Sequence, residues 1–227
     1  VATRRGERLE LRLPDGSLVH LAPQSTLRVP VAYGAGERRV SLEGAAVFTV
    51  THDTTRPFAV HTARAVARDV GTRFLVRAYA GDAATDVVVA EGAVAVGLPA
   101  RRAAGDAARP SARPRPDAVV VAAGARARVT RQEHVVVTPR VALDEYFAWT
   151  DGRLVFRDVP LAEVAAQLSR WYDVDVRLGA ESLGRLRLTA SATEREAPED
   201  VLRLIAASLD LDLQISHAGQ TYTLRAR

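Results

Sequence analysis

Two carboxylate pairs, Asp173 with Asp175 and Asp210 with Asp212, and five histidines are the side chains here whose types could carry acid–base or metal chemistry. Carboxylates two apart can share a proton or a cation when a fold brings them to one cleft. Each pair instead flanks a strand start and alternates outward, which reads as solvated edge charge. His20, His52, His61, His134 and His217 are scattered, with no H-E-x-x-H, no helical i, i+4 pair and no partner cysteines, so strand-surface positions account for them. A glycine-rich phosphate loop and a G-x-S-x-G elbow are both missing. An enzyme of the polysaccharide-lyase kind would show Asp, Arg or Lys clustered on one strand face, and no such cluster is present. The sequence therefore supplies no catalytic, cofactor-binding or metal site and points to a binding module.

The elements that position these residues have ample material. The chain has 227 residues, 48% of them hydrophobic, enough for one large or two ordinary domains. It has no Cys, which excludes disulfides, thiolate zinc and thiol catalysis, and no Met, so the expectation is that it begins after its natural start. Nowhere do 18 or more apolar residues run together, so no transmembrane helix or signal peptide is read and a soluble fragment is expected. The sequence pI near 10.1 invites a nucleic-acid reading, and charge placement argues against it. Residues 1–97 carry +2, residues 98–141 carry +6 and residues 142–227 carry −4. Most of the excess sits in an Ala/Arg/Pro stretch at about 98–118 without hydrophobic periodicity, read as a flexible insertion.

Upstream of that stretch the grammar is all β. Leu9-Glu10-Leu11-Arg12-Leu13 and Leu18-Val19-His20-Leu21 flank Pro14-Asp15-Gly16-Ser17. Pro14 pre-sets φ, Asp15 caps the turn and Gly16 supplies the positive φ that folds the second strand back. Leu9, Leu11 and Leu13 should face a core, with Glu10 and Arg12 in water. Ser25–Val29, Arg39–Val50, Arg56–Thr62, Val70–Val76 and Val87–Val96 repeat the alternation, and Phe48, Phe58 and Phe74 read as core packing. Strands resume over Val119–Val129 and His134–Val137, and a boundary belongs between about 139 and 150.

These blocks resemble the periplasmic domain of FecR-type sigma-factor regulators, which reads roughly L-P-D-G-S-x-V-x-L, R-x-V-x-L-x-G-E-A-x-F-x-V, R-P-F-x-V-x-T, G-T-x-F-x-V and E-G-x-V-x-V in that order. One departure is Ala45, where that family usually carries an acid after the glycine of its second block.

From residue 142 the rhythm changes. Arg153–Arg157 reads as a strand, and Asp158-Val159-Pro160 starts a helix with the proline in its first turn and Leu161, Val164, Ala165, Leu168 and Trp171 as its apolar stripe. Val174–Leu178 and Arg185–Ala190 follow as strands. Pro198 opens a second helix carrying Val201, Leu202, Leu204, Ile205 and Leu209, and Leu211–Ile215 closes with Thr221–Leu224 as a hairpin around Ala218-Gly219-Gln220. The order is β-α-β, then β-α-β-β. It resembles the short secretin and TonB N-terminal fold, and Leu154–Val164 with Leu168–Val174 looks like the start of the C-terminal module of FecR-type regulators.

The fold class expected is mainly β with a C-terminal α+β unit. Residues 1–141 form a sandwich- or solenoid-like all-β domain, and residues 142–227 form a small two-layer domain. The resemblance implies the periplasmic part of a single-pass inner-membrane regulator whose missing upstream region holds a membrane helix and a cytoplasmic anti-sigma segment. It further implies a partner, the periplasmic signalling domain of a TonB-dependent outer-membrane transducer that reports an iron chelate, and, indirectly, an extracytoplasmic-function sigma factor. The acidic second unit is the expected transducer-binding end, through Tyr172, Asp173, Asp175, Asp210 and Asp212, with Trp171 in its core. No nucleic acid is expected. The alternative is a periplasmic glycan- or cell-wall-binding β protein.

Overall fold

The computed structural model describes residues 1–34, 38–69, 71–99, 118–216 and 220–227. The insertion expected at about 98–118 falls almost entirely outside them, as do Val70, His217 and the hairpin turn at 218–219. The chain is mainly β with a C-terminal α+β region, 47% strand and 18% helix. It divides into one unit of Val1–Thr3 with Arg8–Leu143 and a second of Arg4–Glu7 with Asp144–Arg227.

The first unit contains β1 (Leu9–Arg12), β2 (Leu18–Leu21), β3 (Thr26–Arg28), β4 (Arg38–Thr49), β5 (Phe58–His61), β6 (Val66–Asp69), β7 (Arg73–Ala78), β8 (Ala84–Glu91), β9 (Ala93–Gly97), β10 (Val119–Ala122), β11 (Arg126–Thr130) and β12 (Val135–Thr138). Their order is β10-β9-β6-β5-β4-β7-β8-β11-β12, with β3 on the first part of β4 and β2, then β1, on the second. β4 is shared by two sheets. Before Gly44 it pairs with β3 and, in parallel, with β5, and from Gly44 onward it pairs with β7, with β2 alongside from Ala46. Gly44 has φ +103°, and a Cβ there would lie 2.2 Å from Ser25 Oγ, so only glycine allows the crossing. Phe48 packs on Phe58 at 5.6 Å and on Phe74 at 5.4 Å between ring centroids, joining both sheets through one core. Fully burying each ring contributes about 1.5–3 kcal/mol relative to exposure. The result is sandwich-like.

The Pro14–Ser17 turn forms as its residues dictate. Asp15 accepts from the Ser17 amide at 3.0 Å and the Ser17 hydroxyl at 2.8 Å, and Gly16 has φ +86°. The expected face of β1 needs correcting: Leu13 is buried, Leu11 half-buried and Leu9 exposed, because among the described residues β1 pairs only with β2 at the sheet margin. The turn also does something no local pattern announces. Arg38, 1% exposed, donates to Asp15 Oδ2 at 2.9 Å, the Thr51 carbonyl at 2.7 Å and the Arg56 carbonyl at 2.6 Å. Its guanidinium also stands 6.0 Å from the Phe58 ring centroid. Burial alone would raise the Asp15 carboxyl, but the Ser17 and Arg38 hydrogen bonds outweigh it and hold Asp15 below the usual carboxylate range.

The second unit contains α1 (Asp144–Phe147), a 3-10 turn at Ala148–Asp151, β13 (Arg153–Pro160), α2 (Leu161–Tyr172), β14 (Asp175–Leu178), a 3-10 turn at Glu181–Arg185, β15 (Arg187–Thr193), α3 (Pro198–Ser208), β16 (Leu211–Ile215) and β17 (Thr221–Ala226). β13 pairs antiparallel with β15, while β17 lies between β14, in parallel, and β16, antiparallel. Leu161, Val164, Ala165, Leu168 and Trp171 form the buried face of α2 as the spacing predicts. Two local expectations are corrected. Pro160 ends β13, in register with Arg187, and precedes the helix, because the Leu161 amide donates to the Leu186 carbonyl. Leu204 is 68% exposed, since the core-facing stripe of α3 runs through Val201, Leu202, Ile205 and Ala206. No helix among the described residues is long and apolar enough to cross a membrane.

Candidate partner-binding surface

The acidic residues singled out in the sequence occupy two places in the second unit. Asp173 caps the C-terminal end of α2 at φ +54° and Asp175 opens β14. Asp210, also at φ +54°, leads into β16, where Asp212 is the second residue. β17 measures the separation, because Asp175 is in register with Thr221 and Asp212 with Arg225. Four residues of strand, about 13 Å, lie between the two pairs along that axis. They do not form one acidic patch.

Each pair has its own arginine. Arg5 donates to Asp175 Oδ1 at 3.0 Å and lies 3.5 Å from Asp173 Oδ1. It also donates to the Ser169 carbonyl at 3.1 Å and to the Val174 carbonyl, while the Gly6 amide donates to the Arg170 carbonyl at 2.7 Å. Arg4–Glu7 thus belongs to this unit: Gly6 satisfies the Arg170 carbonyl at the end of α2, and Arg5 adds a donor to the Ser169 carbonyl, which the Asp173 amide already caps. The hydrogen bond from Arg5 holds the Asp175 carboxyl below its ordinary range, with the charges of Arg5 and Arg177 adding to it. At the other end Arg227 pairs with Asp210 at 2.6 Å and Asp212 at 3.3 Å. Those groups are well exposed, so each such pair is worth only about 0–1 kcal/mol.

Tyr172 is half-buried, and its hydroxyl donates to the Thr193 carbonyl at 2.7 Å, tying α2 to the end of β15. Burial, followed by the Glu196 charge, pushes its phenol up to about 12. Trp171 is 8% exposed. The four described histidines all lie in the first unit: His20 stands 3.5 Å from Glu10, His52 beside Gly71, His61 at the end of β5 and His134 before β12. Among the described residues no group of three or more His, Cys, Asp or Glu could hold a metal ion.

The two edges of the three-stranded sheet differ. On β14 the Val176 amide donates to Ser169 Oγ at 3.0 Å, so that edge is partly closed. Among the described residues β16 pairs with β17 alone. The Ser216 amide donates to the Thr221 carbonyl at 2.9 Å, and antiparallel alternation from that pair turns Gln214 and Asp212 toward β17. The backbone groups of Leu213 and Ile215 then face outward. Such an edge is a template for another strand.

Comparison with known proteins finds a family match in each unit. The FecR protein family model matches residues 1–95, and the FecR C-terminal model matches residues 153–224. No curated protein matches the chain. Two crystal structures, each of a candidate anti-sigma factor from Parabacteroides distasonis ATCC 8503, are similar with a TM-score of 0.84 and 24% sequence identity, covering 100% of this chain and 98% of the other. At that identity the likeness shows the fold. Both halves of the sequence, in their family order and on that fold, give one conclusion: the chain belongs to the FecR family of sigma-factor regulators.

Proposed function

We propose that this chain is the periplasmic, signal-receiving part of an inner-membrane sigma-factor regulator, and that its second unit takes up the periplasmic signalling domain of an outer-membrane TonB-dependent transducer. The observation that carries the reading is the open edge of β16. A strand added there bonds to the outward backbone of Leu213 and Ile215, and a basic residue of the partner can take the place of Arg227 on the exposed Asp210 and Asp212. Tyr172, Asp173 and Asp175 then serve the unit's own structure through Thr193 and Arg5. In this reading the transducer reports an iron chelate, and the change passes inward to an extracytoplasmic-function sigma factor.

The test is titration calorimetry of the whole chain against a panel of transducer signalling domains. Ile215→Pro removes one outward donor while leaving the bonded Gln214 and Asp212 positions of the β16–β17 ladder in place. The expected result is micromolar or tighter binding by at least one domain and a loss of about tenfold or more in the variant, equivalent to one backbone hydrogen bond with its register. Ile215→Pro that melts like the parent and binds equally well would overturn the strand-addition reading.

A further inference from the structure

The first unit holds a cavity of about 470 Å³, within the size range of small-molecule sites. Its lining brings together Arg28, Ser41, Glu43, His61, Arg64 and Thr85. Register explains much of the convergence. Arg28 on β3 stands opposite Ser41 on β4, and Ser41 stands opposite His61 on β5, so the three form one cross-strand row, with Glu43 two residues further along the same face of β4. Arg64 comes from the turn that follows, where the Thr62 hydroxyl accepts from its amide at 3.3 Å.

Arg28 is exposed and Arg64 half-buried, and among the described residues no side-chain hydrogen bond or ion pair holds either guanidinium. One feature separates this place from an ordinary wet surface. Thr85, 1% exposed, has a buried hydroxyl with no partner among the described residues. A buried hydroxyl without a partner is a standing cost that a bound donor or acceptor relieves.

We propose that this cavity is a binding site for a hydroxylated anion of monosaccharide size. Arg28 and Arg64 take the anionic group, for which guanidinium offers paired donors. Glu43 accepts from ligand hydroxyls, and Thr85 bonds to a ring oxygen or hydroxyl. The two arginines outweigh Glu43 by one charge, which favours an anion while still rewarding the hydroxyls that a bare anion lacks. The site lies in the first unit and does not rest on the transducer reading.

The anion could be a carboxylate or a phosphate, and the test separates these sources. Calorimetric titrations of the whole chain use D-glucuronate, D-glucose 6-phosphate, D-glucose and inorganic phosphate. The proposal expects glucuronate or glucose 6-phosphate to bind in the millimolar range or tighter, with D-glucose and inorganic phosphate at least about tenfold weaker, the value of one charge-assisted contact. Arg28→Ala and Arg64→Ala should each weaken the preferred sugar acid by about tenfold. Thr85→Val should raise the melting temperature of the free protein and yet weaken binding. A purely structural role for the threonine would leave binding unmoved, which counts against the proposal. Binding of D-glucose equal to glucuronate, inorganic phosphate equal to either sugar acid, or no binding of any probe at 20 mM in a protein that melts normally, would each overturn it.

Discussion

Arg38→Met removes a buried guanidinium while keeping much of its apolar stem. The parent side chain is 1% exposed and satisfies Asp15 Oδ2 and the carbonyls of Thr51 and Arg56 at 2.6 to 2.9 Å. Removing it leaves the Asp15 carboxylate, 9% exposed, without its cationic partner and strips a donor from both carbonyls. Breaking one partner of a buried pair costs about 3–5 kcal/mol. Against a typical domain stability of about 5–15 kcal/mol, that is a large share of what holds the first unit. The assay is urea denaturation at pH 7 followed by far-UV circular dichroism. Trp149 and Trp171 both belong to the second unit, so tryptophan fluorescence follows that unit separately. Because the folded Asp15 carboxyl lies below its ordinary value, the unfolded chain binds more protons on the acid side, and this contribution is present above about pH 4 and lost as pH falls through the folded value. That acid-side dependence should shrink in Arg38→Met. A variant within about 0.5 kcal/mol of the parent, with the same acid limb, would refute the reasoning; that is the scatter of ordinary surface substitutions.

Trp171→Ala should cost the second unit about 3–5 kcal/mol, as truncation of a buried large aromatic does, read as an earlier fluorescence transition through Trp149. Tyr172→Phe should cost about 1 kcal/mol for the bond to Thr193. In the parent the raised phenol makes stability full below the unfolded value of about 10 and lost as pH rises toward about 12, a limb absent in the variant and followed by tyrosinate absorbance with the melt. Arg5→Ala should lower the second unit's stability by about 1–2 kcal/mol, through the Ser169 carbonyl and Asp175, and should raise hydrogen exchange at the Gly6 amide.

What the sequence made legible is what rests on near neighbours. Pro14, Asp15 and Gly16 dictate their turn, the α2 stripe follows from spacing, and Pro198 opens α3 because its missing amide proton costs nothing there. The change from alternating strands to helical spacing after Pro139 marks the passage from a β unit to an α+β unit. The rest depends on distant partners. Nothing near Arg38 shows that its acceptors are at 15, 51 and 56, and nothing near Arg5 shows that its carbonyls are at 169 and 174. Leu9 and Leu204 have the right alternation or period and still face water, because periodicity gives a face and not what covers it. Pro160 lies in a strand because pairing with Arg187 outweighs its preference for a helix start. The two acid pairs looked alike in sequence, and only the register on β17 sets them apart.

In the proposed function a partner strand joins the second unit at β16. Hydrogen exchange of the whole chain, free and bound to the transducer signalling domain that calorimetry selects, tests it residue by residue. New protection is expected at the outward amides of Leu213 and Ile215, with little change at Val176, whose amide Ser169 already holds. Protection that instead falls on β10 or β12 of the first unit, with β16 unchanged, would contradict it.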